Sequence, residues 1–86
     1  MKISVKMIDD PNTPDAKLCA RVEVLGGMRK LSVFNIEAFG YSNGKVGAFH
    51  IIGPCIETCH VPKYYSLSES IEWIKNMVKE RSEYYQ

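Results

Sequence analysis

The 86-residue sequence predicts an α+β fold: a four- to five-stranded antiparallel sheet with one C-terminal helix, in the order β-β-β-β-(β)-α. Three observations point there. Residues 2–52 break into short runs rich in Val, Ile, Leu and Phe, separated by clusters of Gly, Pro, Asn and Asp that favour turns. Several of these runs alternate apolar and polar residues, the period of a half-buried strand. From Ser66 onward the period becomes helical, and no repeat, linker or low-complexity stretch divides the chain, so residues 1–86 are expected to form one domain.

In residues 2–8, Ile3, Val5 and Met7 share one parity and Lys2, Ser4 and Lys6 the other, as in a strand with one wet face. Residues 9–15, DDPNTPD, make a polar loop and lack the ligand period of a calcium loop. Residues 17–39 read as a β-hairpin about Gly26-Gly27, whose access to positive φ suits a two-residue turn. Leu18, Ala20, Val22 and Val24 alternate with Cys19, Arg21 and Glu23. On the return run Leu31 and Val33 lie on one parity and Phe34, Ile36 and Ala38 on the other. That calls for either a β-bulge near Phe34-Asn35 or a strand covered in part on both faces.

Residues 40–44, GYSNG, lead into a second hairpin with residues 45–52. Val46, Ala48, His50 and Ile52 share one face and Gly47, Phe49 and Ile51 the other, as in a central or interface strand, and Gly53-Pro54 ends it. His50, set among hydrophobes, reads as a hydrogen-bonded interior residue rather than a ligand or base. Residues 57–61 suffice for a short edge strand that Pro62 terminates. Ser66-Leu67-Ser68-Glu69 is a capping box. Behind it Leu67, Ile71, Ile74, Val78 and Tyr85 follow helical spacing, widened by Trp73, Met77 and Tyr84. The opposite side carries Glu72, Lys75, Asn76, Lys79, Glu80 and Glu83, a solvated face of mixed sign.

Eleven basic against ten acidic residues leave a formal charge of +1, so any nucleic-acid site must be local. The alternating start lacks a signal peptide's apolar block and no run is long enough to span a bilayer, which predicts a cytoplasmic protein with no membrane partner. Cys55, Cys59 and His60 resemble half of a zinc site, but a second ligand pair would have to come from Cys19 or His50. Free cysteines packing as small hydrophobes are the preferred reading, with no metal and no cofactor. No nucleophile, base and orienting group can be assembled, and Gly26-Gly27 is a turn rather than a phosphate cradle, so an enzyme is not expected.

The order of motifs resembles the stage V sporulation protein G (SpoVG) family of small bacterial septation and gene regulators. The resemblance rests on VKMIDDP near the start, the strand at 17–24, VFNIEAF at 33–39, the Asn43-Gly44 turn, Gly53-Pro54 after a strand, and ETCHVP at 57–62 ahead of the helix. It implies a homodimer of sheet-and-helix subunits that binds DNA and sometimes RNA. The chain departs from the pattern where family members carry a basic loop, here shortened to PCIETCH at 54–60.

With that loop shortened, Lys63, Lys75, Lys79 and Arg81 are the expected phosphate contacts, although residues 66–86 hold three bases against four acids. The alternative is a non-enzymatic protein-interaction module, of the kind a phage or mobile element encodes. It would act on a host nucleic-acid-handling machine and present an edge strand or the tyrosines Tyr64, Tyr65, Tyr84 and Tyr85. One helix covers about one face of a small sheet, so Phe49 and Ile51, joined by Leu31, Val33 and Val46, are expected to form a homodimer interface around residues 45–52.

Overall fold

The computed structural model describes residues 1–11, 13, 17–28, 30–43, 46–56, 64 and 66–85. Within them β1 (Lys2–Met7), β2 (Leu18–Leu25), β3 (Leu31–Phe39) and β4 (Ala48–Ile52) form one antiparallel sheet in chain order, β1-β2-β3-β4. Helix α1 (Leu67–Glu80) and a 3-10 turn (Ser82–Tyr84) follow, and the helix lies over β2, β3 and β4. This is the α+β arrangement the sequence predicts.

Directly opposed residues of an antiparallel pair share a face, so the register sorts the side chains. Val5 faces Val22, Val22 faces Phe34, Ile36 faces Ile51 and Ala38 faces Phe49. Val22, Val24, Phe34, Ile36, Ala38, Phe49 and Ile51 meet Ile74, Met77, Val78 and Tyr85 in one core, and Val5 stays outside it. Val22, Val24, Phe34, Ile36, Ile51, Ile74 and Val78 are wholly buried, each worth about 1.5–3 kcal/mol of burial against exposure.

Several expectations are corrected by this register. The hairpin turn is not two residues long: Leu25 pairs with Leu31, and the Gly26 amide donates to the Lys30 carbonyl across a five-residue connection. The bulge lies in β2 rather than β3, between Leu18 and Ala20, where the extra residue Cys19 is buried. Strand β3 keeps one phase throughout, with Ser32, Phe34, Ile36 and Ala38 inward, so Leu31 and Val33 need no repair. Phe49 and Ile51 are 4% and 0% exposed within a single chain, which removes the need for a second copy to cover them. His50 is exposed on the opposite face, its ring edge-on to Phe39 with centroids 6.1 Å apart.

Ser66 caps α1, its hydroxyl accepting from the Glu69 amide at 3.2 Å, which is the serine half of the expected box. The helix ends at Glu80, not at Tyr85. The 3-10 turn then swings Tyr85 into the core, where its hydroxyl donates to the Pro54 carbonyl at 3.0 Å, while Tyr84 stays 55% exposed instead of widening the apolar stripe. The strand expected at residues 57–61 lies outside the described residues. Next to it in sequence, Tyr64 makes an antiparallel bridge to β4, its carbonyl accepting from the Phe49 amide at 2.8 Å.

Candidate nucleic-acid interface

Helix α1 packs on one face of the sheet, and the register decides what stands on the other among the described residues. Lys6 faces Arg21 and Arg21 faces Asn35; Ser4 faces Glu23 and Glu23 faces Val33; Glu37 faces His50 and Phe39 faces Ala48. Along β1 and β2 this assembles Lys2, Lys6 and Arg21, with Glu23 and Glu37 as the carboxylates of the face. Arg21 Nε donates to Asn35 Oδ1 at 3.3 Å, and Lys6 Nζ lies 3.1 Å from Glu23 Oε1. These contacts tie Arg21 and Lys6 to neighbours on the same face, while the Lys6 side chain remains largely exposed. At the far corner Phe39, 37% exposed, and His50 present a pair of rings. Leu25 and Leu31 form an apolar opposite end, beside the exposed Met28 of the connection.

The helix side is different. Lys75 lies 3.6 Å from Glu72, Lys79 is exposed, and Glu69, Glu72, Glu80 and Glu83 line the same solvent side, so acid outnumbers base there. Arg81 is half-buried at the C-cap and does not align with Lys75 and Lys79. Lys63 lies outside the described residues. Lys75 and Lys79 thus share one side of α1 with an excess of acid, and Arg81 stands at its C-cap, whereas Lys2, Lys6 and Arg21, which the sequence marks only as the wet parity of two strands, share one face of the sheet. Alternation around Lys2 and Lys6, and around Arg21 and Glu23, shows that these residues face away from the core; only the register shows that they share one sheet face, Lys6 beside Arg21 and Lys2 two rungs away.

The expected interface residues also divide. Phe49 and Ile51 are in the core, Val46 packs against it half-buried, and Leu31 and Val33 lie on the open face. The Phe49 amide on the outer edge of β4 is already taken by Tyr64, which blocks strand pairing at that point. Cys19 is buried and Cys55 exposed, and among the described residues no three His, Cys, Asp or Glu side chains gather as metal ligands.

No family model matches this chain, and neither a curated protein nor a solved structure matches it.

Proposed function

We propose that this protein is a small non-enzymatic nucleic-acid-binding regulator that receives single-stranded DNA or RNA on the open face of its sheet. One observation carries the reading: the uncovered face combines Lys2, Lys6 and Arg21 with the amide of Asn35 and the rings of Phe39 and His50, while the acidic excess lies on the helix side. Single strands are bound by cations that track the backbone and by rings on which bases stack, with little demand for sequence. An open antiparallel sheet supplies both on one surface. The resemblance of the sequence motifs to the SpoVG family favours the same activity, here read on the sheet rather than the helix.

Titration of labelled single strands at two salt concentrations tests it. Wild-type protein should bind, and binding should weaken steeply with salt. Replacing Lys2 and Arg21 by Ala should weaken binding and flatten the salt slope by about 0.7 for each phosphate that is no longer neutralised. Lys75→Ala with Lys79→Ala should leave both unchanged. If the helix pair governs the salt slope instead, the sheet-face assignment is wrong; absence of binding at low salt removes the activity altogether.

A further inference from the structure

We infer that β1 is a docking edge for an extended, acidic segment of a partner protein, which joins the sheet beside Lys2–Met7 with carboxylates over Lys2 and Lys6 and apolar side chains beside Val5 and Met7. The segment would share Lys2 and Lys6 with the proposed nucleic-acid face, but its main-chain pairing to the edge does not rest on that reading.

Three features of β1 combine. Among the described residues the strand is terminal in the sheet, with β2 on one side only. Its hydrogen-bonding phase follows from the Ile8 amide, which donates to the Cys19 carbonyl at 2.9 Å in register with the β1–β2 ladder. Alternate residues of an antiparallel strand turn their main-chain groups to opposite sides, so Lys2, Ser4 and Lys6 address β2, and Ile3, Val5 and Met7 address the open edge. A row of main-chain donors and acceptors at that spacing is what an added strand requires.

The second feature is apolar surface left uncovered beside that edge. Ile3, Val5 and Met7 point to the helix side, opposite Val24, Val22 and Ala20, yet the main contacts of the helix are with β2, β3 and β4, and of the three only Ile3 packs against the core. Val22 and Ala20 are wholly buried, whereas Val5 is 36% and Met7 63% exposed, and Ile8 just beyond is 45% exposed. An added strand would set alternate side chains against this strip and extend the core by one row.

Charge then selects the occupant. In a two-fold pairing of two β1 strands centred on Ser4, Lys2 of one copy stands opposite Lys6 of the other; centred on Lys6, the two Lys6 face each other. Centring on Val5 avoids direct opposition but still crowds four lysines onto one face, with Glu23 from each sheet already engaged by Lys6. Like charges across a ladder oppose pairing and opposite charges favour it. A second copy is therefore disfavoured, and a strand carrying Asp or Glu on its outer parity matches both lysines at once.

The probe is a short synthetic peptide alternating valine and glutamate, with a valine–lysine peptide as control. The acidic peptide should slow hydrogen exchange at the amides of Ile3, Val5 and Met7, and the basic peptide should not. Val5→Pro, which deletes one outward amide at an edge where proline is tolerated, should weaken acidic-peptide binding at least about tenfold while leaving single-strand binding intact. Should Val5→Pro fail to fold, Lys2→Glu with Lys6→Glu provides the second arm, expected to lose the acidic peptide and gain the basic one. Equal binding of both peptides, no binding at millimolar peptide, or protection away from these three amides overturns the proposal. So does a dimer of the wild type that Val5→Pro converts to monomer, since that would assign the edge to a second copy.

Discussion

Gly53 is where the end of β4 meets the centre of the core. A Cβ placed there collides with the Phe34 ring at Cδ1, and that ring is wholly buried, edge-on to Tyr85 with centroids 5.6 Å apart at 61°. The glycine is required for room rather than for a positive φ, and the main chain it frees leads directly to the Pro54 carbonyl that receives the Tyr85 hydroxyl. Its neighbour Cys55 does adopt a left-handed backbone, φ 66°, before Ile56 drops into the core. Gly53→Ala should therefore lower stability by about 1–3 kcal/mol, the usual cost of overpacking, seen as a lower denaturant midpoint with the folded-state spectrum retained. Shrinking the ring in the same chain, as Phe34→Leu, should make the alanine cost less than it does alone; simple additivity of the two changes would mean that the collision is relieved elsewhere.

Strand existence is legible in the sequence because each run alternates or is densely β-branched, and the helix because its cap and stripe agree. Phase is less so, for reasons particular to three places. Cys19 is small and apolar enough to satisfy either face, so the bulge in β2 leaves no mark in the pattern. Ser32 occupies an inward position with 3% exposure, and a polar residue there hides the single phase of β3 and makes Leu31 and Val33 look like its inward pair. In β4 both parities are apolar, so only pairing with Ala38 and Ile36 can choose Phe49 and Ile51 for the core. For the candidate site, the polar parity of each strand is readable, but cross-strand assembly of Lys2, Lys6 and Arg21 depends on register, which no single segment encodes. The bulge has a chemical result of its own. Burial pushes the Cys19 thiol up, and Asp9 and Asp10 add to this against the lowering hydrogen bond from the Ala38 backbone. The unfolded chain releases that proton near the ordinary thiol value of about 8.5, before the folded chain does, so above that pH the unfolded state binds fewer protons and stability falls as pH rises. Below it the contribution is intact. Cys19→Ala should flatten the alkaline part of a stability–pH profile, and alkylation read by mass spectrometry should reach Cys55 in the folded protein but Cys19 only on unfolding; fast labelling of Cys19 in folded protein would contradict the burial.

As a whole the molecule is a two-layer slab, 44 × 24 × 16 Å, with a radius of gyration of 13.2 Å against about 12 Å for a compact chain of this length. A slab this thin buries one sheet face and exposes the other, with Leu25 and Leu31 on the exposed side. Leu31→Asp should leave the denaturant midpoint nearly unchanged. Phe49→Asp places a carboxylate in the core and should unfold the chain; equal losses from the two would contradict the faces that the register assigns. The partial reach of the helix has a further effect, on time. Strands β2 and β3 each have a strand on both sides, β4 has β3 and the Tyr64 bridge, and all three lie under α1, so opening them means breaking the Phe34–Tyr85–Ile74 core. β1 is held by one ladder and by the packing of Ile3, with Val5 and Met7 exposed, so it should peel away and return while the remaining strands stay closed. The protein accordingly has two rates of breathing: a fast local one confined to its first strand, and a slow global one for everything that the helix touches.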